Sequence, residues 1–141
     1  GRLMRIRRAS ESFLRENAEF AGAYLPEILE SYKSFADFLK HGFAFFALEG
    51  ENICGNIISN GEYNGCCIVG ADTKAEYRRR GIASALLRTA IESARERGNE
   101  IIWECAEENI PSVRTAESCG MHRCGEFFVR RFEFEPNTPQ D

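Results

Sequence analysis

Hydrophobic and polar positions change period several times along the chain, and each change marks an expected element. Met4 to Ala9 alternates apolar and basic residues and predicts a first strand, after which Ser10 can cap a helix carrying Phe13, Leu14 and Ala18. Phe20, Tyr24, Ile28, Leu29 and Tyr32 recur at helical spacing, but Pro26 limits how far one helix can run. Two short helices or one broken helix are expected there. Ser34 to His41 predicts another short helix, stopped by Gly42.

The period then shortens. Phe43 to Leu48 is an apolar, aromatic run, Glu49-Gly-Glu-Asn52 has turn chemistry, and Ile53 to Ser59 is a second strand-like run, so a hairpin is predicted. A second turn is expected over Asn60-Gly-Glu-Tyr-Asn-Gly65, leading into a third strand from Cys66 to Thr73 with the character of a buried one. Arg80 to Arg97 predicts the clearest helix, because Ile82, Ala83, Leu86, Leu87, Ala90, Ile91 and Ala94 share one face and Gly98 follows its end. That face must pack on a sheet. Glu100 to Ala106 predicts a strand, and strand, helix, strand implies a right-handed crossover to a parallel neighbour. Asn109 to Cys119 predicts a second helix with Asn109 as N-cap, Pro111 in its first turn and Gly120 as its stop. Arg123 to Phe134 predicts one closing strand, and Glu135 to Asp141 a frayed tail. The order β-α-α-β-β-β-α-β-α-β predicts an α/β sandwich, antiparallel in its first half.

Composition narrows the class. A chain of 141 residues, 43% hydrophobic and 28% charged, supports one compact core, so a single domain over 1–141 is expected. A net charge of -4 argues against a duplex-DNA binder, which needs a positive face to displace counterions. No apolar run approaches the roughly 20 residues of a membrane span, and Gly1 to Arg8 lacks the apolar stretch of a signal peptide, so a cytoplasmic protein is expected. The cysteines at 54, 66, 67, 105, 119 and 124 include no Cys-x-x-Cys pair. Neither a metal site nor a disulfide framework is expected, and most of these thiols should act as small core hydrophobes.

The most informative segment is Arg78-Arg79-Arg80-Gly81-Ile82-Ala83, between the end of a buried strand and the start of the strongest helix. Small residues at 81 and 83 let a backbone approach a ligand, and the free N–H groups of a helix's first turn form an anion site. The same letters equally describe a solvated basic loop in which Gly81 is only a turn residue. Its position matters more than its letters, but the segment alone favours neither alternative.

Arg78-x-x-Gly81-x-Ala83 resembles the Gln/Arg-x-x-Gly-x-Gly/Ala signature of the GCN5-related N-acetyltransferases, and Ala75-Glu76-Tyr77 resembles its lead-in. Trp103-Glu-Cys105, Asn109-x-x-Ser112 and Cys119-Gly-Met121 resemble the family's later motif, and with Ala116-Glu117 they look most like the zwittermicin-resistance-type branch. The resemblance is firmest over residues 66 to 121. It implies a mixed, mostly antiparallel central sheet with helices on both faces and a splayed parallel strand pair at a cofactor cleft.

The resemblance further implies acetyl-CoA as co-substrate and transfer of its acetyl group to a small-molecule or peptide amine, with no nucleic-acid or membrane partner and a homodimer left open. Ala71 and Thr73 would offer backbone groups to the pantetheine arm. Arg78, Arg79, Arg80, Gly81, Ile82, Ala83 and Ser84 would cradle the pyrophosphate, with Asn109 and Ser112 on the pantetheine side. Asp72 and Glu104 are the candidate bases, since an alkyl amine is mostly protonated near neutral pH and must lose a proton to attack. Phe20, Tyr24, Tyr32, Phe35 and Phe38 could shape the acceptor pocket, although aromatics at this spacing also suit a core. One departure stands out: many members carry a tyrosine seven residues after the motif's Asn as general acid, and here that residue is Ala116. An acyl-CoA-binding sensor without catalysis is therefore the alternative.

Overall fold

A computed structural model describes residues 4–106, 108–124 and 129–133. Its elements are β1 (Met4–Arg8), α1 (Glu11–Glu16), a π-helical turn (Phe20–Tyr24), α2 (Leu25–Ser31), α3 (Phe35–His41), β2 (Ala44–Glu49), β3 (Asn52–Tyr63), β4 (Cys66–Thr73), a 3-10 turn (Ala75–Tyr77), α4 (Ile82–Glu96), β5 (Glu100–Ala106), α5 (Ile110–Ser118), β6 (His122–Cys124) and β7 (Val129–Glu133). The strands form a 7-stranded sheet in the order β1-β2-β3-β4-β5-β7-β6. Among the described residues β4 and β5 are its parallel pair, joined through α4, and the other neighbours run antiparallel.

Side-chain alternation divides the core between the two faces. On one, Ile82, Leu86, Leu87, Ala90, Ile91 and Ala94 of α4 and Ala116 of α5 pack on Phe45, Ala47, Ile57, Val69, Ile101 and Trp103. The approach of α4 depends on Gly55, since a Cβ there would lie 3.2 Å from Ile82 and 3.1 Å from the Asp72 carbonyl. On the other face Phe13, Phe20, Ile28, Tyr32 and Phe38 cover Ala44, Phe46, Leu48, Ile53 and Ile58. Cys54, Cys67 and Cys105 are buried. Burial, reinforced by Glu62, pushes the Cys67 thiol up to about 11, which keeps it protonated near neutral pH.

Local chemistry explains most boundaries. Ser10 and Ser34 cap α1 and α3 by accepting from Phe13 N and Asp37 N at 3.1 and 3.0 Å. The expected break near Pro26 is a π-helical turn ahead of it, with Pro26 in the first turn of α2. Two expectations are corrected. The turn placed over Asn60–Gly65 is only Asn64-Gly65, with φ of 50° and 76°, and β3 continues to Tyr63 through an irregularity between Ser59 and Glu62. Two successive left-handed residues make the tight hairpin that follows the natural strand twist. The single closing strand over Arg123–Phe134 is two antiparallel strands, β6 and β7, with β7 inserted against β5; Phe134 lies outside the described residues.

A buried polar knot ties α2 and α3 to the sheet. Tyr32 Oη and Ser59 Oγ are 2.7 Å apart, Phe43 N donates to Ser59 Oγ at 2.9 Å and Gly61 N donates to Tyr32 Oη at 3.2 Å. Tyr32→Phe strands the partners of that hydroxyl and is expected to cost about 1–3 kcal/mol, read as a lower urea midpoint with an unchanged m-value.

Candidate active site

The β4–β5 ladder runs from Cys66↔Glu100 to Val69↔Trp103 and ends there. Beyond it Gly70–Thr73 pair with β3, while Glu104–Ala106 pair with β7. The two parallel strands therefore part in mid-sheet, leaving a gap whose mouth lies at the end of β4.

At that mouth the chain makes the 3-10 turn Ala75–Tyr77 and enters α4 through a strained loop. Arg79 has φ of 65° and Gly81 has φ of 75°. A left-handed arginine is uncommon, and such outliers concentrate at functional sites. Left-handed residues in a turn are also the conformation from which backbone N–H groups form an anion-binding concavity. Gly81 is the N-cap of α4, and no side chain caps it. By contrast, Ser10, Ser34 and Asn109 cap α1, α3 and α5. Among the described residues, the first-turn amides of α4, the longest helix, therefore meet no capping side chain, at the positive end of its dipole.

The arginines divide their work. Arg78 Nε donates to the Thr73 carbonyl at 3.1 Å, closing the loop back on β4. Arg80 lies over the Tyr77 ring at 5.4 Å and pairs with Glu49 at 3.6 Å, which draws it toward β2. Arg79 is exposed. Below the first turn of α4, on the β1 side, Met4, Ile6, Ala47, Glu49, Arg80, Gly81, Ile82 and Ala85 line a cavity of about 420 Å³. It does not reach the gap between β4 and β5.

Asn109 Oδ1 accepts from Ser112 N at 3.2 Å, and Ser112 Oγ accepts from Trp103 Nε1 at 3.0 Å. This chain of contacts holds α5 against β5 beside the gap. Ser84 Oγ is 3.0 Å from Ser118 Oγ, linking α4 to α5. Ala116, on α5, is fully buried in the core that α5 shares with α4.

The candidate bases share the opposite face. Asp72 is opposite Asn56, which is opposite Phe46, so the three form one row across β4, β3 and β2 on the side of α1–α3. Trp103 packs toward α4, so Glu104 projects to the same side as Asp72, across the gap. Ala71 and Thr73 alternate with Asp72 and face α4.

Of the aromatics expected around an acceptor, Phe20 and Phe38 are fully buried and Tyr32 is 7% exposed, so these three serve packing and the polar knot. Tyr24 and Phe35 keep partial access. Residues not singled out from sequence also converge here. Lys74 Nζ contacts Glu19 Oε1 at 2.6 Å, clamping the end of β4 to the π-helical turn. Glu27 on α2 is raised above the usual carboxylate range by partial burial, then by Glu30 and Asp72. Asn56 is 6% exposed, a buried polar side chain in an otherwise apolar strand run. That interruption was the one signal available in the sequence.

A parted parallel pair with an uncapped helix N-terminus at its mouth is an arrangement suited to an elongated anionic ligand. A sequence profile of the GNAT acetyltransferase family matches residues 3–129, and the chain belongs to that family. No curated protein matches it by sequence. Solved structures match its fold. A Bacillus subtilis acetyltransferase in complex with CoA is 15% identical with a TM-score of 0.66, over 95% of this chain and 99% of that one. The spermidine N-acetyltransferase of Vibrio cholerae, in complex with CoA and spermine, is 19% identical with a TM-score of 0.64, over 93% and 94%. The GNAT domain of S. lividans PAT is 19% identical with a TM-score of 0.65, over 93% and 89%. Among the described residues no helix is long and apolar enough to cross a membrane.

Proposed function

We propose that the chain transfers the acetyl group of acetyl-CoA to the amine of a small molecule or peptide in the cytoplasm. The observation that carries this is the uncapped N-terminus of α4, entered through left-handed Arg79 and Gly81, at the mouth of the gap between β4 and β5. Amides of residues 79–84 hold the pyrophosphate, with Arg78 and Arg79 supplying positive charge. The pantetheine arm follows the backbone edge of Ala71 and Thr73 on one side, with Asn109 and Ser112 on the other. Arg80, paired with Glu49, contributes through its backbone.

The acetyl end then emerges on the face that carries Asp72 and Glu104. Asp72 takes the proton of the incoming amine, directly or through a water, and Glu104 lines the opposite side. An amide near Thr73 donates to the developing oxyanion. Asp72→Asn is expected to lower kcat by about 10²-fold with little change in the acetyl-CoA dissociation constant, measured by thiol release and calorimetry. Trp103-Glu-Cys105 with Asn109-x-x-Ser112 supports placement near the zwittermicin-resistance-type branch, whose amines would be antibiotic-like.

A second proposal has a specific observation behind it. Ala116, fully buried, has no ionisable group to donate a proton, so a domain that binds acyl-CoA without turnover would look the same at that position. Calorimetry with acetyl-CoA tests both: no binding at high micromolar ligand sinks them together. Thiol release with a panel of amines, spermidine included, separates them, since a sensor binds and releases no CoA above background.

A further inference from the structure

A proton donor on the acceptor face would ease the departure of the CoA sulfur, and the contacts around Tyr24 bear on where one could sit. Tyr24 ends the π-helical turn Phe20–Tyr24, a geometry that in helices concentrates at functional sites. Its ring stands edge-on to Phe46, with centroids 5.1 Å apart, which seats it above the row Phe46, Asn56, Asp72. Asn56, buried to 6% exposure in that row, hydrogen-bonds the Tyr24 hydroxyl through its side chain. An Asn56 amide that donates to the phenolic oxygen leaves the phenolic hydrogen for a second partner.

Among the described residues, the other polar groups near Tyr24 are committed or unsuited. Lys74 Nζ is held by Glu19 at 2.6 Å. Ser59 and Tyr32 satisfy each other in the buried knot. Asp72, Glu104 and Glu27 are carboxyls, fitted to receive a proton. Adjacent strands lie about 4.8 Å apart, so a phenol above β3 is one strand spacing from the open edge of β4.

We infer that Tyr24 is the catalytic proton donor to the departing CoA sulfur, with Asn56 as its positioning residue, in place of the tyrosine that position 116 lacks. The inference rests on the function proposed above. The acceptor nitrogen adds to the thioester carbonyl carbon, forming C–N. The C–S bond then breaks with its electron pair going to sulfur, and the Tyr24 hydroxyl delivers its proton there. The tyrosinate regains the proton that the acceptor nitrogen releases, relayed by Asp72 or a water. One proton moves from nitrogen to sulfur and nothing else is required. Burial, then Glu19, raise Tyr24 above the ordinary phenol, with Lys74 and Asn56 opposing and Asp72 adding, so the donor stays protonated across the neutral range.

CoA itself tests this without knowledge of the acceptor. The ultraviolet thiolate absorbance of protein-bound CoA is titrated against the desulfo-CoA complex, so that the 6 cysteines of the chain cancel. Tyr24→Phe keeps the ring on Phe46 and removes only the hydroxyl. The bound thiol is expected to ionise with about a tenfold smaller constant in Tyr24→Phe than in wild type, because a donor to the thiolate is lost. Equal constants in two chains that both bind CoA overturn the role of Tyr24 and leave the proposed function standing. Failure of wild type to bind CoA overturns both. If the variant alone fails to bind, a crystal structure of wild type with CoA decides: Tyr24 Oη within hydrogen-bond distance of sulfur supports the role, and a separation beyond about 6 Å with no bridging water overturns it.

Discussion

Gly81→Val is expected to weaken acetyl-CoA binding by about 10²-fold while leaving the chain folded, as measured by calorimetry on protein with an unchanged far-ultraviolet spectrum. The space around Gly81 is open, with nothing within 4 Å of an added Cβ, so a clash is not the cause. The cause is backbone: φ of 75° is costly for any L side chain and most of all for a β-branched one. Valine therefore pulls the loop away from the conformation that aims its amides at the pyrophosphate. A cost of about 1–3 kcal/mol is shared between the stability of the first turn of α4 and the bound state. Gly81→Ala should show the same effect at smaller size, about 5–10-fold, because alanine enters the left-handed region more cheaply. Full affinity in Gly81→Val would move the anion site off this loop.

The largest expected stability loss follows from Phe46→Ala, about 4 kcal/mol. Phe46 is fully buried, and its ring lies 5.3 Å from Phe13, 5.0 Å from Phe20 and 5.1 Å from Tyr24. Truncation opens a cavity beneath both α1, capped by Ser10, and the π-helical turn, where Phe20 N donates to Asn17 Oδ1 at 2.9 Å, and these ties resist collapse into it. Against a typical domain stability of about 5–15 kcal/mol, that loss leaves a marginal protein. Urea denaturation measures it, with Phe46→Leu as a milder control expected near 1–2 kcal/mol. The same substitution removes the floor under Tyr24, so residual turnover in the folded fraction should fall too. A loss below about 1 kcal/mol would mean that this face of the sheet is loosely packed.

Both residues show how function and packing are divided along the chain. Gly81 does no packing, and its value lies in one dihedral angle. Phe46 touches no ligand, yet it sets the height of the turn that carries Tyr24. Arg80 carries the lesson for charge: three consecutive arginines look like one basic patch, but the structure sends Arg80 to Glu49 and folds Arg78 back onto Thr73. A charge count cannot distinguish a side chain that faces a ligand from one that holds a loop.

The two Asn-Gly pairs make the same point for turns. Asn60-Gly61 and Asn64-Gly65 carry identical hairpin chemistry, and only the second is the hairpin. The choice falls to register, because burying Ser59 against Tyr32 and Cys67 in the core fixes which residues can pair, and the first Asn-Gly then sits in a ladder irregularity.

By itself the sequence determined what depends on near neighbours: the caps Ser10, Ser34 and Asn109, the one-sided helix α4, the strand from Glu100 to Ala106, and the loop from Arg78 to Ala83 with its family signature. These rest on spacing and on hydrogen bonds within a few residues, so a local pattern suffices. Tertiary structure alone decided what depends on distant partners: the split of the closing strand into β6 and β7, the end of the parallel ladder at Val69↔Trp103, and the meeting of Tyr24, Asn56 and Asp72 on one face. Those three residues come from three elements, and only the register of β2, β3 and β4 beneath the π-helical turn brings them together.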